Sequence, residues 1–205
     1  MDHTKKTEKV MKGKTAIREK IYSTLPSDVS DKVWEDSKSR LDKMYKEHSD
    51  LPKGVARHTD SAIFPAAAIY LSLKESAPDS AFDIMRDSMK EQSTKAGCSI
   101  AKMTSIPGFK KFFLFMWDKM SHKMFGESSG FKNVFYPNAK NEFKMDITEC
   151  PYNKYLTELG CPEITKLFCD NDVYVYGNLP GLKFTRTKTI GAGDELCDFK
   201  MEIER

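Results

Sequence analysis

The spacing of apolar residues divides the chain into a helical first half and a second half of short strands and turns. Between Gly108 and Gly126 large apolar side chains recur every three or four positions, which predicts one long amphipathic helix. The stripe on this helix consists of Phe109, Phe112, Phe113, Met116, Met120 and Met124. Beyond Gly130 the apolar residues alternate instead, and FKNVFY at 131–136 with FKMDIT at 143–148 predicts a β-hairpin.

Further helices are predicted before this point. One begins at Ser30 and ends near His48, with its apolar residues on one face. The stretch LPKGVARHT at 51–59 then breaks the helical pattern. Asp60 opens a helix that is apolar nearly all round, so we expect this helix to be buried, and Pro65 falls in its first turn, where proline is tolerated. The next helix has Asp79 as its cap and Phe82, Met85 and Met89 on one face.

Two Cys-Pro pairs mark helix starts in the second half. Pro151 and Pro162 suit the first position of a helix, and the helix after Pro162 is predicted to be short and to end near Phe168. A last hairpin is predicted to pair the strands 182–190 and 196–203 through the glycine-rich turn GAGDE.

Together these elements predict an α+β fold in which N-terminal helices pack on a small antiparallel sheet made of two hairpins. We expect a single domain over residues 1–205. Its parts are a polar N-terminal extension or helix at 1–27, a helical part at 28–126 and a hairpin–helix–hairpin part at 130–205.

Composition and charge exclude several classes of protein. The chain has 33 Lys and Arg against 30 Asp and Glu, and the basic residues are scattered among acids, so we expect no nucleic-acid partner. No apolar run resembles a signal peptide or reaches the ~20 residues of a membrane span, which predicts a cytoplasmic protein without a membrane partner.

An odd number of cysteines, five, predicts free thiols. The sequence does not fix the oligomeric state and is compatible with a homodimer.

Arg186 interrupts the apolar face of the predicted strand 182–190. A charge at such a position needs a partner, and two readings are open. Arg186 either pairs with a structural carboxylate or binds an anionic group of a substrate through its planar guanidinium. Cys197 faces inward from the following strand, and the two residues share one wall if the hairpin register places them on the same side.

Cys150 is a second candidate, because a helix N-terminus stabilises a thiolate. On this reading Cys150 is alkylated faster than Cys98; the alternative is that it is a small buried apolar residue. His58, in the polar break, is either a base or a solvated histidine. The chain has no CxxC pair and no zinc-type cysteine spacing, so we expect neither a metal nor another cofactor.

The C-terminal part resembles the L-2-amino-thiazoline-4-carboxylic acid hydrolase family. The pieces that carry the resemblance are CPY at 150–152, LG at 159–160, FCDNDVYVYG at 168–177, KFTRTKT at 183–189 and GAGDELCDF at 191–199. They cover about 55 residues closely, and the helical half matches only loosely, through stretches such as AAAIYLSLKE.

The resemblance implies a ring opening. Water adds to the carbon between sulfur and nitrogen, and the ring sulfur leaves to give N-carbamoyl-cysteine. It also implies a small-molecule substrate whose carboxylate Arg186 binds, with Thr187 and Tyr174 as further substrate-binding residues. For catalysis, two routes are open: Cys150 or Cys197 attacks covalently, or these thiols shape the pocket while Asp170 activates water.

The ending GxGDxxCxF is also similar to that of 4-vinyl-reductase-like ligand-sensing domains, whose fold resembles that of Golgi transport-particle subunits. The zinc-binding members carry a glutamate and a cysteine where this chain has Arg186 and Thr189, so the resemblance implies no zinc here. A non-catalytic small-molecule-binding module is therefore the alternative function. A structural adaptor is a third reading.

Overall fold

The protein, a computed structural model that describes residues 3–137 and 139–204, combines nine α-helices with a four-stranded antiparallel sheet in this described part. The predicted α+β fold is confirmed. The helices are α1 His3–Lys12, α2 Thr15–Thr24, α3 Ser27–Glu47, α4 Lys53–His58, α5 Phe64–Ser76, α6 Pro78–Thr104, α7 Phe109–Met124, α8 Pro151–Glu158 and α9 Thr165–Tyr176. The strands are β1 Lys132–Phe135, β2 Glu142–Glu149, β3 Leu182–Thr185 and β4 Cys197–Ile203.

Helix α5 lies at the centre of the helical part, where it packs against α3 and α6. Nine of its thirteen residues are buried, as its nearly continuous apolar sequence predicts. In the described residues, no helix combines the length and the apolar character that crossing a membrane requires.

The predicted break at 51–59 extends only to Pro52, because α4 begins at Lys53 and leads into α5 through a π-helical turn at Thr59–Ile63, so Asp60 does not open a new helix. Pro65 therefore lies inside a continuous helical run, where it has no N–H to donate. The carbonyls five and four positions before it find other donors: Asp60 O accepts from the Tyr45 hydroxyl at 2.7 Å, and Ser61 O accepts from Lys14 Nζ at 2.7 Å. The wider π turn and these two bonds accommodate the proline.

The strands are ordered β1-β2-β4-β3, and every neighbouring pair is antiparallel. One face of the sheet is apolar and buried against α7. Its central residues are Phe143, Met145 and Ile147 of β2 and Cys197, Phe199 and Met201 of β4. The other face is polar, and there Lys200 forms ion pairs with Glu142 and Glu202 at 3.0 and 2.8 Å. This one-sided burial is typical of antiparallel sheets.

Two sequence predictions in the second half need correction. The helix after Pro162 does not end near Phe168, because a short 3₁₀ turn leads into α9, which continues to Tyr176. The last strand pair is not joined by a tight turn, because β3 ends at Thr185 and a connection at 186–196 folds over the end of the sheet. That connection includes a 3₁₀ turn at Ile190–Ala192.

Candidate active site

Arg186 directly follows β3, and its side chain is 5% exposed. Its Nη1 donates to Asp172 Oδ2 of α9 at 2.8 Å and to the carbonyl oxygen of Cys169 at 2.7 Å. The guanidinium carbon lies 5.7 Å from the ring centre of Phe199, so Arg186 is on the same face of the sheet as Cys197. In the described part of the chain, Nε and Nη2 have no hydrogen-bond partner, so half of the guanidinium remains for another anion.

Two thiols meet beside this ion pair. Cys169 comes from α9 and Cys197 from the start of β4, and the two thiols lie within interaction distance of each other beside the turn at Ile190–Ala192. Thr189 and Gly191 belong to the same turn, where the Thr189 hydroxyl oxygen accepts from the N–H of Gly191 at 3.2 Å. Gly191 leaves the room for the Cys169 sulfur, since a Cβ there would lie 2.7 Å from Cys169 Sγ.

Their surroundings change the acidity of both thiols. The hydrogen bond from Cys197, with help from Thr189, the Arg186 charge and the Gly191 N–H, outweighs burial and lowers the pKa of Cys169 to about 6. The same hydrogen bond, together with burial, raises the pKa of Cys197 far above its ordinary value. These opposite shifts favour the thiolate on Cys169 and the thiol on Cys197.

Asp172 shares the site with the thiolate. Burial raises the pKa of its carboxyl group to about 7, against the opposing effect of Arg186, and the negative Cys169 adds to the increase. Its side chain is nevertheless 31% exposed, so water or a small ligand reaches the carboxylate. A carboxyl group that titrates near neutral pH is suited to accept and return a proton.

Cys150 is the N-cap of α8, as predicted, but its thiol is not activated. Burial raises the pKa of Cys150 to about 11, and the N–H groups of Asn153 and Tyr152 oppose this only in part. Cys98 is exposed. At Cys150, desolvation outweighs the helix N-terminus and disfavours the thiolate. The reason for predicting faster alkylation of Cys150 than of Cys98 therefore does not hold.

His58 is buried rather than solvated. Its Nε2 donates to the carbonyl oxygen of Met124 at 2.9 Å, which leaves Nδ1 to accept from the Tyr152 hydroxyl at 3.0 Å. Burial lowers the pKa of His58, so the ring stays neutral. Tyr152 also packs on Phe168, with ring centres 4.8 Å apart. His58 therefore positions the start of α8 and takes no part in the thiol pair.

The structure does not bring the other predicted site residues to the thiols. Asp170 bonds to Lys166 Nζ at 2.6 and 2.8 Å on the exposed side of α9. The ring of Tyr174 faces Lys90 of α6. Thr187 is exposed, and its hydroxyl donates at 2.6 Å to Asp198, which lies on the polar face of the sheet. Of the predicted residues, Cys150, Arg186 and Cys197 lie at the site.

Cys150 and Ile190 are part of the lining of a cleft of about 270 Å³, whereas Cys169, Cys197 and Arg186 are not among its lining residues. The N–H of Ile190 donates to Cys197 Sγ at 3.3 Å, which connects the cleft wall directly to the thiol pair. A larger cavity of about 630 Å³ lies among the N-terminal helices, beside Met11 and Trp34, and holds none of the groups described above. Among the described residues, no group of His, Cys, Asp and Glu side chains is arranged to hold a metal ion.

The sequence profile of the L-2-amino-thiazoline-4-carboxylic acid hydrolase family matches residues 56–201. The chain belongs to this family. The match includes every residue of the site, and helices α1 to α3 lie outside it. Comparisons with curated proteins and with solved structures give no match.

In this member of the L-2-amino-thiazoline-4-carboxylic acid hydrolase family, sequence reasoning missed Cys169 and Asp172. The signal that identifies them is helical spacing, since residues at i, i+3 and i+7 of α9 share a face and Cys169, Asp172 and Tyr176 have that spacing. The segment had been assigned to a short helix that ended at Phe168, so this spacing was not applied to it. The need of Arg186 for a carboxylate partner then points to Asp172.

Proposed function

We propose that this chain is a hydrolase of a small heterocycle that bears a carboxylate, with L-2-amino-thiazoline-4-carboxylic acid as the first candidate substrate. One observation carries the proposal: Asp172 and the Cys169 carbonyl hold only Nη1 of Arg186 and leave the rest of its guanidinium free, beside a Cys169 thiol whose surroundings lower its pKa. Family membership supports hydrolysis as the class of reaction.

The free Nε and Nη2 of Arg186 bind the substrate carboxylate. Asp172 and the Cys169 carbonyl hold Nη1 and so fix the plane of the guanidinium in advance. A pre-oriented guanidinium loses little side-chain freedom when it binds a carboxylate with two parallel hydrogen bonds. The structural and the substrate-binding readings of Arg186 are therefore compatible in one residue.

The reaction begins with Cys169. Its thiolate adds to the ring carbon between sulfur and nitrogen, the bond from that carbon to the ring sulfur breaks, and the sulfur takes a proton to leave as a thiol. Asp172, whose pKa lies near 7, supplies that proton. The carboxylate then takes a proton from water, the oxygen adds to the same carbon, and Cys169 leaves as a thiolate. The product is N-carbamoyl-cysteine.

The proposal is tested by incubating the full-length protein with L-2-amino-thiazoline-4-carboxylic acid and following N-carbamoyl-cysteine by mass spectrometry. We expect turnover by the wild type and none by Cys169→Ser, because a serine hydroxyl stays protonated at neutral pH. Arg186→Lys is expected to raise KM more than it lowers kcat, because lysine keeps the charge and loses the paired geometry. Cys98→Ser, on the exposed side of α6, is the matched control and keeps wild-type rates.

Two results would contradict the proposal. Binding of the substrate without any product favours the non-catalytic ligand-binding module. Undiminished turnover by Cys169→Ser removes the thiolate from the mechanism and leaves direct attack by water.

A further inference from the structure

The five cysteines occupy different surroundings. Cys98 is exposed on α6, and Cys161 is fully buried, where burial raises its pKa to about 12. Cys150 lines the cleft. Cys169 and Cys197 border one turn: Cys197 Sγ accepts from the N–H of Ile190 at 3.3 Å, and a Cβ at Gly191 would lie 2.7 Å from Cys169 Sγ. The hydrolysis described above uses only the Cys169 thiolate and does not require a second thiol beside it. The presence of Cys197 next to Cys169 therefore points to a further reaction.

We propose that Cys169 and Cys197 form an oxidation site for hydroperoxides, at which the two sulfurs are converted to a reversible disulfide that joins α9 to β4.

Each step of this chemistry balances. The Cys169 thiolate attacks one oxygen of hydrogen peroxide, the O–O bond breaks, and the products are a sulfenic acid on Cys169 and hydroxide. The sulfur of Cys197 then attacks the sulfenic sulfur, its proton and the sulfenic hydroxyl leave together as water, and the S–S bond forms. Peroxide is the two-electron oxidant, and an added dithiol reverses the reaction by exchange.

The surroundings assign different roles to the two thiols. Cys169 is partly exposed and carries the hydrogen-bond donors that favour the thiolate, so it meets the oxidant first. Cys197 is buried behind it with 5% exposure, so it is shielded from the oxidant and remains available to resolve the sulfenic acid. A low-pKa, accessible thiol next to a resolving cysteine is the arrangement that peroxide-sensitive sites share.

The backbone around the pair allows the bond to form. A disulfide requires the sulfurs to approach to about 2.05 Å, closer than a hydrogen bond holds them. Cys197 is the first residue of β4, and the connection at 186–196 before it is not part of the sheet. Gly191 presents no side chain to Cys169, so no Cβ stands between this connection and the Cys169 sulfur.

The test follows the thiols directly and does not depend on the hydrolase activity. The oxidation proposal can therefore fail while the hydrolase proposal stands, and the reverse. The full-length protein is treated with hydrogen peroxide, free thiols are blocked with iodoacetamide, and tryptic peptides are mapped by mass spectrometry. Cleavage after lysine places Cys150, Cys169 and Cys197 on three different peptides, 145–154, 167–183 and 189–200. We expect a cross-link between 167–183 and 189–200, lost on treatment with dithiothreitol.

Variants then sharpen the result. In Cys197→Ser the sulfenic acid on Cys169 has no resolving partner, so it is expected to be trapped by dimedone or to proceed to sulfinic acid. Cys98→Ser is the matched control and forms the cross-link as the wild type does. A cross-link from Cys169 to Cys150, sulfinic acid on Cys169 of the wild type without a cross-link, or three unmodified thiols would each overturn the proposal. Mapping the wild type gives an answer even if a variant fails to fold.

Discussion

Helices α5 and α7 are both rich in large apolar residues, yet the protein uses them differently. Nine of the thirteen residues of α5 are buried, whereas only Leu114 and Ser121 of the sixteen in α7 are. Phe112 and Phe115 of α7 are each 55% exposed, and Met120 is 50% exposed. Helix α5 lies inside a layer of helices, while α7 covers one face of a small sheet and, among the described residues, has no layer on its outer side.

The two parts of the molecule also differ in what they contain: the larger apolar core lies in one part and the candidate site in the other. The helical part contains the larger apolar core, formed chiefly by α3, α5 and α6. The sheet part has a smaller core, and at its edge lie Arg186, Asp172 and the two thiols. Charged groups are costly inside a large apolar core, so the site lies where a short strand ends and water reaches a carboxylate.

The largest effect is expected in the helical core. Leu73 of α5 is fully buried, so Leu73→Ala is expected to lower the free energy of unfolding by ~2–5 kcal/mol through lost burial and a cavity. Phe112→Ala removes a larger side chain from α7 and is expected to change it by less than about 0.5 kcal/mol, since that ring already faces solvent. Urea denaturation of both variants measures the contrast. Equal losses would mean that the exposed face of α7 is covered in solution.

The Arg186–Asp172 pair is expected to give the next largest loss. Removing one partner of a fully buried pair costs ~3–5 kcal/mol, but Asp172 keeps 31% of its side chain accessible and is partly rehydrated. We therefore expect Arg186→Met to lose ~1–3 kcal/mol and Arg186→Lys to lose less. Lys166→Met, which breaks the exposed pair with Asp170, is the control at below about 0.5 kcal/mol. An Arg186→Met variant as stable as the wild type would show that the pair serves binding alone.

The last prediction concerns how the alkylation rate of the thiols depends on pH, where we expect the smallest effect. Because the pKa of Cys169 is lowered to about 6 and that of Cys150 is raised to about 11, iodoacetamide should label Cys169 much faster than Cys150 at pH 7. The Cys169 rate should rise with pH through about 6 and then level off, since the thiolate is the reacting form. Peptide mapping at a series of pH values measures both rates. A Cys169 rate that still climbs steeply above pH 8 would contradict the assigned thiolate.

Most of the fold was predictable from local patterns. The helix at Phe109–Met124, the first hairpin and the helix start at Pro151 follow from spacing and from proline chemistry, and each was found where expected. Which side of α7 is buried was not predictable, because that depends on whether a further layer covers the helix. Phe112, Met116 and Met120 of its apolar stripe are exposed.

The site was predictable only in part, for the same reason. Arg186 and Cys197 were found because one residue broke an apolar pattern and the other lay on the inner face of a strand. Cys169 and Asp172 depend on where α9 ends and on how it crosses the sheet, which are tertiary facts. The likeness to 4-vinyl-reductase-like domains and the single-domain assignment stay predictions.

The π-helical turn at Thr59–Ile63 has a consequence for how the family-matched segment, 56–201, is able to fold. Its two redirected carbonyls depend on Tyr45 of α3 and on Lys14, which immediately precedes α2; both residues lie outside that segment. Lys6 of α1 adds an ion pair to Asp60 at 2.6 Å. The contacts around Pro65 therefore cross the N-terminal boundary of the segment that matches the family. A chain that began at residue 56 would leave the Asp60 and Ser61 carbonyls without the donors that Tyr45 and Lys14 supply.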